Sequence, residues 1–83
     1  MSYFVYILRC ADNTLYTGVT NDVARRVAAH NSGKGAKYTR SRLPVEIIYL
    51  EGCIDKPSAL HRECEIKKMT REKKLRLIAT LNI

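Results

Sequence analysis

The first apolar stretch, Tyr3-Phe4-Val5-Tyr6-Ile7-Leu8, is aromatic and β-branched and offers no charged position on either face. Such a run predicts a strand covered on both sides, hence one central in its sheet. Asp12-Asn13 marks a turn, and Thr14 to Val19 predicts the returning strand of a hairpin. Thr20-Asn21-Asp22 supplies capping residues, after which Val23, Val27 and His30 recur at helical spacing. Gly33 can end that helix in a left-handed conformation, so the first helix is expected from about Asp22 to Asn31. Ser32 to Leu43 reads as a loop and Val45 to Leu50 as a third strand. Asp55-Lys56-Pro57-Ser58 opens a second helix, with proline tolerated in its first turn. Thr70 breaks the periodicity and caps a last helix carrying Leu75, Ile78 and Leu81. The predicted order is β-β-α-β-α-α: an α/β (α+β) fold with a three-stranded, mainly antiparallel sheet covered by helices, and residues 1–83 forming one domain.

Composition changes this picture by adding a partner. Fifteen Lys and Arg against eight Asp and Glu leave a formal charge of +7. That excess speaks about binding rather than fold, with nucleic acid the first candidate, an anionic membrane surface the second, and a merely solvated basic surface the plain alternative. The longest apolar run is far too short to span a bilayer and no basic-then-apolar leader precedes it, so a soluble, cytoplasmic protein is expected. Cys10, Cys53 and Cys64 are odd in number and widely spaced, which argues against a disulfide framework or a zinc ribbon. They are expected to act as small buried hydrophobes, a mixed site with His30 or His61 being the weaker alternative.

The chain also carries the side chains that phosphodiester hydrolysis needs. A water must lose a proton, charge building on the phosphoryl oxygens must be stabilised, and the leaving oxygen must be helped away. A divalent ion serves the last two needs, and the planar fork of arginine serves the second. Tyr6 and Tyr16 lie on the two hairpin strands, and Arg26 and His30 are four apart on the first helix and so share a side. Glu63 sits on the second helix at the edge of a stripe containing Ala59 and Ile66, a position for a half-buried carboxylate that could hold a metal. Each also has a plainer reading: strand aromatics, solvated cations, and a Glu63–Lys67 surface pair at i,i+4.

Tyr6, then Tyr16-Thr17-Gly18, then Arg26 and His30, resembles the motif of GIY-YIG nucleases, and Ala59-Leu60-His61-Arg62-Glu63 resembles the segment bearing that family's glutamate. The likeness is to the small stand-alone, YhbQ-like members and runs over essentially the whole chain. It implies a DNA endonuclease, with repair or processing as its setting, in which Glu63 holds one Mg²⁺ or Mn²⁺. Tyr6 would activate water with help from His30, Tyr16 would position water or phosphate, Arg26 would neutralise charge, and Gly18 would keep the backbone clear. The chain departs from the pattern in Phe4-Val5-Tyr6, which lacks the first glycine, in Thr17, and in Val19, where repair-type members often carry lysine. The late asparagine of many members has no clear counterpart, Asn82 being almost terminal. RNA remains open as a substrate, as does a non-catalytic role as a nucleic-acid-binding module or as an adaptor for a protein partner in a repair complex.

The basic positions expected to contact nucleic acid are Lys34, Lys37, Arg40 and Arg42 around Tyr38, which can stack on a base, and Lys67, Arg71 and Lys74 further on. One geometric condition is sharp. A three-residue hairpin loop, Ala11 to Asn13, pairs Leu8 with Tyr16 and Tyr6 with Gly18 and puts both phenols on one face; a two-residue loop separates them. Asn13 tolerates the left-handed conformation that the longer loop requires, so the odd-length loop is predicted.

Overall fold

The computed structural model describes residues 2–80. Strands β1 (Tyr3–Arg9), β2 (Leu15–Thr20) and β3 (Glu46–Cys53) form one antiparallel sheet in the order β2-β1-β3. Helices α1 (Val23–Asn31) and α2 (Lys37–Arg40) lie between β2 and β3, and α3 (Lys56–Lys67) and α4 (Arg71–Ala79) follow. The short α2 falls inside the stretch expected to be loop, so the observed order is β-β-α-α-β-α-α. β3 also runs three residues past the expected Leu50.

β1 is central because both of its faces must be covered. Val5 and Ile7 point to one side, where they pack with Tyr49, Ala59, Ile66 and Ile78 beneath α3 and α4. Tyr6, Leu8 and Cys10 point to the other, against Val45, Tyr16, Val27 and Leu43. Full burial of a side chain such as Ile7 is worth about 1.5–3 kcal/mol, so this strand contributes heavily to both cores. A bulge interrupts the β1–β3 ladder, with Ile7 facing Tyr49 and Leu8 facing Ile47, which leaves Ile48 as the extra residue.

The helix starts follow the capping residues of the sequence. Asp22, Asp55 and Thr70 accept from the backbone N–H groups of Arg25, Ser58 and Lys73. Asn31, at the end of α1, closes the lower layer: its amide accepts from Val45 N–H at 2.7 Å and donates to Val45 C=O at 3.0 Å, a substitute for a strand partner.

Two expectations about apolar positions change. Of the three apolar positions expected on the last helix, Leu75 is exposed on α4 and borders an open groove, Ile78 is buried, and Leu81 lies outside the described residues. Cys10 is buried as expected, Cys53 is half-buried and Cys64 is exposed on α3, all three as free thiols. Among the described residues no helix is long and apolar enough to cross a membrane.

Candidate active site

The hairpin decides whether a site exists. Cys10 N–H donates to Thr14 O and Asn13 N–H to Cys10 O, both at 2.9 Å, around a three-residue loop in which Asn13 adopts φ 67°. Asp12 Oδ1 accepts from the N–H and hydroxyl of Thr14, which holds the turn and pulls the Asp12 carboxyl below its ordinary value. Leu8 therefore faces Tyr16 and Tyr6 faces Gly18, and both phenols rise from the same face with ring centroids 6.5 Å apart.

Gly18 has a task that its place on the edge strand explains. The Tyr6 ring lies directly across it, and a Cβ at that position would stand 2.4 Å from the phenolic oxygen and 2.5 Å from Cζ. The missing side chain lets a tyrosine from the central strand reach the sheet edge. There α1, whose Val27 packs on the Tyr6 face of the sheet, and α3, whose Ala59 and Ile66 pack on the opposite face, both contribute to one cleft. Tyr6, Tyr16, Gly18, Arg26 and Glu63 all line one cleft of about 500 Å³, together with Tyr3, Val19, Thr20, Asn21, Lys56 and Leu60.

His30 stands behind this cleft. It is fully buried at the end of α1, with Nε2 3.1 Å from the Tyr6 hydroxyl oxygen and Nδ1 2.8 Å from Thr39 Oγ1. Gly35 packs against its ring: a Cβ there would come within 2.4 Å of Nδ1 and 2.8 Å of the His30 Cα. Arg26, one turn earlier, donates from Nε to the Tyr6 hydroxyl over 3.4 Å. Burial raises the Tyr6 phenol above its ordinary value. Arg26 opposes this, and Tyr16 and Glu63 add to it. Burial also lowers the His30 imidazole, helped by the Arg26 charge, so at neutral pH the pair is an uncharged phenol beside an uncharged imidazole.

The remaining sequence-predicted positions divide. Glu63 is mostly covered and its carboxylate lies 3.7 Å from the Lys67 ammonium, so the plain i,i+4 pair and the place in the cleft are both realised. Lys67 and Lys74 border a shallow hollow next to the cleft with Leu15, Tyr16, Thr17 and Tyr38. Tyr38 stacks on Tyr16 at 6.0 Å, with the Arg42 guanidinium 4.0 Å from its ring centre. Arg42 is further tied to Asp12 at 3.0 Å and donates to Tyr38 C=O at 2.8 Å, so this cation braces the loop against the hairpin turn. Lys34, Lys37 and Arg40 are exposed and border neither hollow. Arg71 is carried away from the site, into the groove formed with Ile47, Leu50 and Leu75. His61 is exposed, and Asn82 lies outside the described residues.

Sequence reasoning missed Lys56, Thr39 and Gly35. Lys56 had a signal: positions 56, 60, 63 and 67 form one helical stripe, so a cation two turns before the glutamate shares its face. Thr39 and Gly35 had none, because only the folded loop brings them to His30.

The chain belongs to the GIY-YIG catalytic domain family, which it matches over residues 2–76. Within that family it is similar to UPF0213 proteins. One from Natronomonas pharaonis is 56% identical over 77 residues, covering 93% of this chain and 91% of its own. One from Staphylococcus aureus is 57% identical over 77 residues, covering 93% and 94%. Two solution NMR structures share the fold. A UPF0213 protein from Bacillus halodurans is 45% identical, with a TM-score of 0.63 over 96% of this chain and 85% of that one. A protein from E. faecalis is 38% identical, with a TM-score of 0.67 over 99% and 88%.

Proposed function

We propose that this protein is a divalent-metal-dependent endonuclease that hydrolyses phosphodiester bonds in DNA. The family membership supports a nuclease with a nucleic-acid substrate. The observation that carries the finer reading is the convergence of Tyr6, Tyr16, Arg26 and Glu63, from four separate elements, on one cleft with His30 behind Tyr6.

Glu63 presents a hard oxygen donor inside the cleft, and its ion-pair partner among the described residues is the displaceable Lys67. Mg²⁺ is commonly held by one or two carboxylates, with water and substrate phosphate completing the shell, so this donor set fits Mg²⁺ or Mn²⁺. A bound ion would supply Lewis-acid polarisation of the phosphate and support for the leaving oxygen. Arg26 places its guanidinium where negative charge grows on the phosphoryl oxygens. Tyr6 accepts a proton from the attacking water while its own proton passes to His30 Nε2. The water oxygen bonds to phosphorus, the bond to the leaving oxygen breaks, and that oxygen is protonated from solvent. The raised phenol makes a free phenolate scarce at neutral pH, which favours this coupled transfer over prior ionisation of Tyr6. Lys56, Lys67 and Lys74 supply positive charge along the route of the strand.

The test is incubation with supercoiled, nicked and branched DNA and with RNA, in Mg²⁺, in Mn²⁺ and in chelator, beside Glu63→Ala and Arg26→Ala. Cleavage that needs metal and both side chains supports the proposal. A second reading, a nucleic-acid-binding module or repair-complex adaptor without turnover, is favoured by the Lys67 ammonium 3.7 Å from the very carboxylate a metal would use. Salt-sensitive binding without cutting under every condition selects that reading. Failure to bind either nucleic acid leaves a protein partner as the remaining role.

A further inference from the structure

We propose that Thr39 is a positioning residue that fixes the tautomer of His30, keeping its proton on Nδ1 so that Nε2 is free to accept the Tyr6 phenolic proton. The functional half of this inference rests on the nuclease reading; the tautomer itself does not.

The argument counts protons. Three buried groups stand in a row: the Tyr6 hydroxyl, the His30 ring and the Thr39 hydroxyl, at 3.1 Å and 2.8 Å. The Tyr6 side chain is 1% exposed and the other two are fully buried. The Tyr6 oxygen has two hydrogen-bond partners among the described residues, Arg26 Nε and His30 Nε2. Arginine only donates, so among the described residues His30 Nε2 is the one protein acceptor in reach of the phenolic proton. At the other end the Thr39 hydroxyl lies 2.9 Å from Ala36 C=O, to which it donates its single proton, and toward His30 it can then only accept. With the proton on Nδ1, every donor in the chain Arg26–Tyr6–His30–Thr39–Ala36 meets an acceptor. With it on Nε2, the phenolic proton has no protein acceptor among the described residues and must turn to the cleft.

The surrounding loop is built for this arrangement. Gly35 is buried against the imidazole, at a distance no side chain would allow, and α2 is a single turn that presents Thr39 inward while Lys37 and Arg40 face out. The basic stretch from Ser32 to Leu43 thus has an inner face turned to His30. Its role for the proposed reaction follows. As water gives its proton to Tyr6, the Tyr6 O–H bond breaks and the His30 Nε2–H bond forms; the resulting imidazolium keeps its Nδ1–H on Thr39.

The experiment is long-range proton–nitrogen NMR of the imidazole nitrogens in the full chain near pH 7.5. A His61→Gln variant assigns His30, and Thr39→Val and Thr39→Ser are compared with the unaltered protein. The expected result is an Nδ1–H tautomer in the unaltered chain and in Thr39→Ser, and an Nε2–H or mixed tautomer in Thr39→Val. Cleavage by Thr39→Val is expected to fall about tenfold or more in kcat with KM for DNA unchanged, and Thr39→Ser to restore it. An Nε2–H tautomer in the unaltered chain overturns the inference, as does an unchanged Nδ1–H tautomer in Thr39→Val. If the unaltered chain never cuts DNA, the nuclease reading fails while the nitrogen spectra still decide the tautomer. A Thr39→Val chain that does not fold leaves the decision to the spectrum of the unaltered chain.

Discussion

Replacing Gly18 by alanine tests how the site is assembled with a single methyl group. The Cβ would stand 2.4 Å from the Tyr6 hydroxyl oxygen and 2.5 Å from Cζ, against the roughly 3.5 Å that non-bonded atoms prefer. About 1 Å of movement is therefore required. The Tyr6 ring cannot swing aside freely, because it is buried in the lower core and held by His30 and Arg26. Overpacking of this kind costs about 1–3 kcal/mol, and a buried hydrogen bond broken with it about 1–3 more. The sum, about 2–6 kcal/mol, is a large part of a small domain's stability and corresponds to a fall in Tm of roughly 10–50 °C. The assay is denaturant unfolding of Gly18→Ala, Tyr6→Leu and the double variant. With the ring gone, the three atoms nearest the new Cβ are gone with it, and Gly18→Ala should become neutral or stabilise by about 0.5–1 kcal/mol. The reasoning is refuted by a Gly18→Ala cost that is the same in both backgrounds, or by one below about 0.5 kcal/mol in the unaltered chain.

Gly35→Ala should cost at least as much as Gly18→Ala, because one of the atoms its Cβ would strike is the His30 Cα and a backbone cannot rotate away; thermal unfolding measures it. Acid should destabilise the fold through His30. Its folded pKa lies below the ordinary 6.5, so between that value and 6.5 the unfolded chain binds the extra proton. Stability is then full above about pH 6.5 and falls as pH drops toward the folded value, by at most about 1.4 kcal/mol per pH unit, a slope that denaturant titrations should find reduced in His30→Gln. DNA affinity should decline with salt at a log–log slope of about −3 to −4, if Arg26, Lys56, Lys67 and Lys74 each meet a phosphate. Anisotropy titrations at several salt concentrations measure this, and a slope near −1 excludes contact by all four.

Much of the architecture was legible because local chemistry and global fold agree. The doubly apolar run at Tyr3–Leu8 reads as a central strand, and the segments Thr20–Asp22 and Asp55–Ser58 and the residue Thr70 read as helix starts from their side chains. The length of the hairpin loop followed from Asn13 and from the period of two, which fixes the face each tyrosine occupies. Spacing also brought Tyr6, Tyr16, Arg26, His30 and Glu63 forward as candidates, since their order along the chain survives as a motif.

What tertiary structure alone decided is which side chains those candidates touch. Nothing in the order of residues says that Thr39 meets His30, that Arg42 spends its charge on Asp12 and Tyr38, or that Arg71 turns away from the cleft. Periodicity and capping act over a few residues and leave their trace in the sequence. The contacts around His30 join segments brought together only when α1, α2 and the sheet close on one another, and no local pattern encodes that meeting.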